Sequence, residues 1–91
     1  MLHYIKNIIS VKEYSVVCLF NTAEVKEIDL RPIIEKYQNI NDGFISQLAD
    51  IEYFNTVNLD SYGTLCWEND VDFDPDNLYE ISKGVGVELV A

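Results

Sequence analysis

The residues of this chain that could do chemistry are one histidine, two cysteines and a run of carboxylates. His3 is the only histidine, and the two cysteines are Cys18 and Cys66. A hydrolytic dyad or triad needs a histidine beside its nucleophile, and nothing in the spacing brings His3 to a thiol. Three such residues also fall short of a four-ligand zinc site, and the four glycines are too dispersed for a phosphate loop. We therefore expect no enzymatic activity, no metal and no cofactor.

The most distinctive local pattern is an acidic segment near the C-terminal end: Glu68-Asn69-Asp70-Val71-Asp72-Phe73-Asp74-Pro75-Asp76. Its alternating aspartates are typical of the start of a calcium loop, where hard oxygen ligands surround the cation. The pattern then fails, because Pro75 replaces the glycine of the sixth position and Ile81 the glutamate of the twelfth. A turn at Asn69-Asp70 and a helix cap at Asp74 explain the acids better. A weak cation site and a partner-docking edge are the open alternatives.

If this acidic segment is exposed, it supplies the candidate contacts with a protein partner: Trp67, Asn69, Asp70 and Asp72. Tryptophan is a frequent anchor residue at interfaces. The alternative interpretation of Trp67 is a core residue. These four residues form the candidate partner-binding site.

The charge distribution favours a basic partner. The chain has 16 acids and 6 bases, a net charge of −10, and residues 37–82 hold ten of the acids and none of the bases. Such a surface repels nucleic-acid phosphates and anionic membranes, so we expect neither as a partner. We therefore expect a basic protein as the partner. The alternative is that the acidity only keeps a small protein soluble.

Length and composition predict one domain over residues 1–91, with 84–91 as either a frayed tail or an added edge strand. Hydrophobic residues make up 48% of the chain, which is too many for intrinsic disorder. The start has no secretory signal pattern, and no run approaches the roughly 20 apolar residues of a membrane span. With cysteines in apolar segments, we expect a cytoplasmic protein. Self-association through strand edges and the apolar tail is an open alternative.

The elements that must position these residues are those of an α+β fold. Apolar periodicity and β-branched residues predict an antiparallel meander of three strands, at residues 5–11, 14–20 and 24–30. Asn21 is expected to supply a positive φ in the second of its loops. Short helices that cover the sheet are predicted after Pro32 and over residues 44–54, and a second hairpin pairs 56–60 with 64–68. A last helix begins at Asp74-Pro75 and is predicted to stop at Gly84.

Two motifs in this order resemble a known family. They are Asp29-Leu30-Arg31-Pro32-Ile33-Ile34 and Trp67-Glu68-Asn69-Asp70-Val71-Asp72-Phe73-Asp74-Pro75-Asp76-Asn77-Leu78-Tyr79-Glu80. They resemble the bacterial domain-of-unknown-function family 2442 over residues 3–80, with Asp70 where the family usually has glycine. The resemblance implies a small α+β domain with no established activity. Genes of the family often lie beside a second small protein, in arrangements similar to toxin–antitoxin pairs.

Together, the resemblance and the charge favour a protein-interaction or regulatory module, an antitoxin-like partner of a basic protein. The alternative function is a small-molecule or cation-binding domain, with its pocket between the sheet and the short helices.

Overall fold

The first part of the chain forms an antiparallel sheet, and the other elements pack against it. The computed structural model describes residues 2–40, 45–68 and 73–84. Its sheet begins with three strands, namely β1 (Ile5–Lys12), β2 (Ser15–Phe20) and β3 (Val25–Asp29). β2 pairs with both neighbours, and both pairings are antiparallel. The predicted meander is confirmed, with each strand bound within one residue of the prediction.

The central position of β2 explains its almost continuous apolar sequence. Val16, Cys18 and Phe20 have no exposed surface, and they belong to the hydrophobic core. Val17 points to the opposite face of the sheet, because side chains alternate along a strand, and it too is only 6% exposed. β1 forms an edge of the sheet. Its two register shifts and its exposed lysines, Lys6 and Lys12, are features that discourage pairing with another chain.

Short helices and a second hairpin pack on the core face of the sheet. They are α1 (Arg31–Asn39), a 3₁₀ helix (Ile45–Ala49), α2 (Ile51–Phe54), the hairpin strands β4 (Asn58–Leu59) and β5 (Leu65–Cys66), and α3 (Pro75–Ile81). Each contributes apolar side chains to the core, among them Ile34, Leu48, Phe54, Leu65 and Leu78. The fold is therefore α+β, as predicted. None of the helices in the described ranges is long and apolar enough to cross a membrane.

The sheet ends with a short fourth strand, β6 (Lys83–Gly84), which pairs antiparallel with β3. The prediction that Gly84 stops the last helix is wrong, because α3 ends at Ile81 and Ser82 is already extended, with φ −77° and ψ 158°. The Ser82 backbone N–H and hydroxyl both donate to the Tyr79 carbonyl. Such local bonding by serine competes with helix propagation. Gly84 thus lies in an added edge strand, and residues 85–91 lie outside the described residues.

Candidate functional site

The structure places the predicted contact residue Trp67 in the core. Its side chain is 4% exposed, and its indole Nε1 donates a hydrogen bond of 3.0 Å to the Phe54 carbonyl. The ring also packs on Phe54 and Phe73, with centroid distances of 5.7 and 5.9 Å. The role of Trp67 as an exposed anchor is therefore corrected, because a side chain held in this way offers no surface to a partner.

The other three predicted contact residues, Asn69, Asp70 and Asp72, lie outside the described residues. The end of the acidic segment is described and behaves as predicted. Asp74 has an extended backbone, and its carboxylate accepts a hydrogen bond from the backbone N–H of Asp76. Pro75 is the first residue of α3. Asp74 is thus an N-cap, which satisfies a helix N–H that has no partner within the helix.

A cluster of titratable side chains, unforeseen in the sequence, surrounds α3. We call it the His3 cluster: His3, Glu24, Lys26, Asp76 and Tyr79. One carboxylate oxygen of Asp76 accepts from the backbone N–H of His3 at 2.7 Å and lies 2.9 Å from the imidazole Nδ1. The imidazole stacks on the Tyr79 ring with centroids 3.7 Å apart and planes 13° apart. The cluster thereby fixes the N-terminal residues to the last helix.

The second half of the His3 cluster joins α3 to the sheet. The Tyr79 hydroxyl donates to the Glu24 carboxylate, which also accepts from the Thr22 hydroxyl at 2.7 Å. The Lys26 ammonium lies 3.8 Å from the Tyr79 ring centroid, a cation–π geometry. Tyr79 therefore has an imidazole, an ammonium and a carboxylate around one ring.

Hydrogen bonding shifts the pKa values of three groups in the His3 cluster. The backbone N–H of His3 and then its side chain lower the pKa of Asp76, because donors stabilise the carboxylate. The Tyr79 hydroxyl and then the Thr22 hydroxyl lower the pKa of Glu24 in the same way. The same bond to Glu24 raises the pKa of Tyr79, because a deprotonated hydroxyl could no longer donate. Each shift favours the ionisation states in which the cluster is intact.

Asn21 holds the N-terminal residues in place for His3. Its side-chain oxygen accepts from the Tyr4 N–H, and its amide donates to the Leu2 carbonyl, both at 3.0 Å. The positive φ of this loop is taken by Ala23 at 74°, whereas we expected it at Asn21. The expectation for Asn21 is therefore wrong, and its side chain bonds to the N-terminal residues instead.

The His3 cluster has the parts of a proton-transfer pair. A carboxylate only accepts, so the Asp76 contact places the imidazole proton on Nδ1 and leaves Nε2 as the acceptor in neutral His3. A hydrolytic mechanism also needs a nucleophile. Cys18 is fully buried, and burial raises its pKa to about 12, so it stays a protonated core thiol at neutral pH. The interactions that the cluster makes fix the N-terminal residues, α3 and the β2–β3 loop together.

The described residues contain no group of three or more histidine, cysteine, aspartate or glutamate side chains placed to hold a metal ion. Cys18 and Cys66, both in the described ranges, are not joined by a disulfide. Cys18 is buried, as its apolar segment suggests, whereas Cys66, also in an apolar segment, is only half-buried.

Comparison with known proteins places this small α+β domain in a family. The family described as "Protein of unknown function (DUF2442)" matches residues 5–84, which is most of the chain. The chain belongs to this family, and the resemblance drawn from the sequence motifs is confirmed. No curated protein matches the chain, and no solved structure matches it.

Proposed function

We propose that this chain is a protein-interaction or regulatory module whose partner is a basic protein. The main support is the distribution of ion pairs between the two halves of the chain. Two bases of the first half pair with acids of the same half: Lys12 lies 4.0 Å from Glu27, and Arg31 lies 3.6 Å from Glu13. Among the described acids of residues 45–82, only Asp76 contacts a basic side chain, the His3 imidazole at 2.9 Å, and this contact is an ion pair only when His3 is protonated. The excess negative charge therefore remains available to a partner.

The described acids of the second half either accept hydrogen bonds from backbone N–H groups or have exposed side chains. Asp50 caps α2, and Asp60 accepts from the N–H groups of Tyr62 and Thr64 in the turn between β4 and β5. Backbone donors of this kind stabilise a carboxylate without neutralising its charge. Three further acids have exposed side chains: Glu52, Glu68 and Glu80. A surface of this sign attracts a basic protein and repels nucleic acid.

The finer form of the proposal is an antitoxin-like partner, as the family resemblance implies. Electrostatic attraction mainly accelerates encounter and selects the sign of the partner. It weakens as salt rises, because the Debye length falls from about 10 Å at 0.1 M to about 3 Å at 1 M. Binding by this module should therefore depend strongly on salt.

The test is capture of partners from a bacterial lysate at low and moderate salt, with two matched double variants. Glu68→Gln/Glu80→Gln removes two exposed acids of the second half, and Glu13→Gln/Glu35→Gln removes two exposed acids of the first half. Both changes move the net charge from −10 to −8. We expect one basic protein to be retained by the wild type and by the first-half control, and to be lost by the second-half variant. Equal retention by all three proteins would contradict the proposal.

A groove of about 500 Å³ favours the alternative, a small-molecule-binding domain. It lies between the start of β1 and the β4–β5 turn, and the rings of Tyr4 and Tyr62 line it, 46% and 81% exposed, beside Lys6 and Asp60. Its volume falls within the roughly 300–1,000 Å³ of typical ligand pockets. A thermal shift screen of metabolites and divalent cations tests this alternative, since a ligand of the native state raises the melting temperature. A response that Tyr62→Ser abolishes would establish it, and a flat response would remove it.

A further inference from the structure

Two exposed tyrosine rings line the groove between the start of β1 and the β4–β5 turn. Tyr62 lies in the turn and is 81% exposed, and Tyr4 precedes β1 and is 46% exposed. A single exposed aromatic side chain on a protein surface needs no explanation. Two that line one groove of about 500 Å³ offer a ligand aromatic surface, and the faces of such rings carry partial negative charge. The groove therefore suits a flat molecule whose C–H groups can lie against the rings.

Backbone contacts fix the β4–β5 turn against β1. The Tyr62 N–H donates to the Asp60 carboxylate at 2.8 Å, and the Ile5 N–H donates to the Gly63 carbonyl at 2.7 Å. A Cβ at Gly63 would lie only 2.8 Å from the Tyr4 Cβ, so glycine allows the turn to approach Tyr4 this closely. The backbones of the two tyrosines are thus held in place before a ligand arrives, which lowers the entropic cost of binding.

The charge of the groove favours an uncharged ligand. Lys6 and Asp60 are the one base and the one acid among the described lining residues, so this lining has no net charge. The chain as a whole carries a net charge of −10, which repels phosphates and carboxylates. A cationic ligand would meet the Lys6 ammonium in the groove itself. An uncharged ligand meets neither repulsion.

The polar side chains of the groove match the hydroxyls of a sugar. Lys6, Asp60 and Ser61 all line the groove. An ammonium only donates and a carboxylate only accepts, whereas a serine hydroxyl does both, so the ligand needs donors and acceptors side by side. Each sugar hydroxyl supplies both, and the flat C–H face of a sugar ring packs on an aromatic ring. A nucleobase also stacks on aromatic rings, but none of its edge groups both donates and accepts.

We propose that the groove between Tyr4 and Tyr62 binds an uncharged oligosaccharide. Its sugar rings pack on the two tyrosine rings, and its hydroxyls bond to Lys6, Asp60 and Ser61. This inference rests on the alternative function, a small-molecule-binding domain, and it adds the chemical class of the ligand.

The probes are three uncharged oligosaccharides: maltotriose, cellotriose and tri-N-acetylchitotriose. Adenosine is the comparison ligand, because it is uncharged and stacks on aromatic rings but is not an oligosaccharide. Each compound is titrated into isotope-labelled protein, and the amide chemical shifts give both the contacted residues and the dissociation constant. We expect at least one oligosaccharide to shift the amides of the residues that line the groove, 4–6 and 59–63, and to bind more tightly than adenosine.

Three variants locate the binding. Tyr62→Ser removes the more exposed ring, and Tyr62→Phe keeps the ring and loses only the hydroxyl. Ile40→Ser is the matched control, because it removes a different exposed side chain, 62% exposed at the end of α1. We expect Tyr62→Ser to weaken oligosaccharide binding roughly tenfold, the loss for one stacked ring. Tyr62→Phe and Ile40→Ser should leave the affinity within about threefold.

Three outcomes would overturn the oligosaccharide site. If adenosine shifts the groove amides and no oligosaccharide does, the small-molecule function stands but its ligand is not a sugar. If no probe shifts these amides, the groove binds no oligosaccharide, and the thermal shift screen decides the small-molecule function separately. If an oligosaccharide binds but Tyr62→Ser leaves its affinity unchanged, the tyrosine rings do not carry the binding. None of these outcomes bears on the capture of a basic protein.

Discussion

Gly63 offers the sharpest test of how the β4–β5 turn meets the sheet. Its φ is +79°, and a Cβ built there would lie 2.8 Å from the Tyr4 Cβ and 3.2 Å from the Ile5 carbonyl oxygen. The Gly63 carbonyl accepts from the Ile5 N–H at 2.7 Å. Replacement of Gly63 by alanine therefore forces an L-residue into the left-handed region and pushes the turn away from β1.

Two contributions determine how much stability Gly63→Ala should lose. A left-handed conformation costs an L-residue roughly 1–2 kcal/mol. Displacement of the turn weakens the bond between Ile5 and Gly63, a contribution of about 0.5–1.5 kcal/mol. We expect Gly63→Ala to lower the free energy of unfolding by about 2–3 kcal/mol, a large part of the roughly 5–15 kcal/mol of a typical domain.

Urea unfolding measures this loss, and Gly84→Ala is the matched control. Among the described residues other than its chain neighbour, none has an atom within 4 Å of a Cβ built at Gly84, and the φ of Gly84 is outside the left-handed region. Alanine there should leave the stability unchanged or raise it by up to about 1 kcal/mol, because it restricts the unfolded chain. If the two variants differ by less than about 0.5 kcal/mol, the account of the turn is refuted.

Three further predictions concern the core and the His3 cluster. Trp67→Phe should lower the free energy of unfolding by about 2 kcal/mol in urea, because it removes a buried hydrogen bond and leaves a cavity; no loss would contradict the core position. The pKa of Asp76 is lowered from its ordinary value of 3.8 by bonds from His3, so its stabilisation is present above that value and is lost as the pH falls through the folded pKa. Asp76→Asn should therefore flatten the acid limb of stability, measured by urea unfolding from pH 7 to pH 2.5. In native protein at pH 8, a thiol reagent should modify Cys18 only on unfolding and Cys66 before it; rapid reaction at Cys18 would contradict its burial.

Local sequence signals predicted the elements well. Strands β1 to β3 follow from apolar periodicity and β-branched residues, and α3 begins where an aspartate precedes a proline. Such signals depend on only a few neighbouring residues, so they can be recognised in the sequence without knowledge of the tertiary contacts. The prediction failed at the end of α3, where the edge of β3 competes with the helix for the backbone of Lys83 and Gly84.

The His3 cluster could not be predicted, because its members are far apart in sequence. His3 and Asp76 are 73 residues apart, and Glu24 and Tyr79 are 55 apart. Nothing in the sequence around a single histidine near the start of the chain indicates which residue it will contact.

Tyr14 could not be predicted either, because its φ of 61° is one that an aromatic residue rarely adopts. Contacts with the 3₁₀ helix and α2 hold it there, through a bond from its hydroxyl to the Ala49 carbonyl and an edge contact with Phe54.

The central claim is that acids of the second half of the chain bind a basic protein. The most direct measurement is the dissociation constant between the purified chain and the basic protein captured from the lysate, at about 50 and 300 mM salt. We expect affinity to fall at least about tenfold over this range, with a shallower salt dependence for Glu68→Gln/Glu80→Gln than for Glu13→Gln/Glu35→Gln. An affinity that is the same at both salt concentrations, and in both variants, would contradict the account.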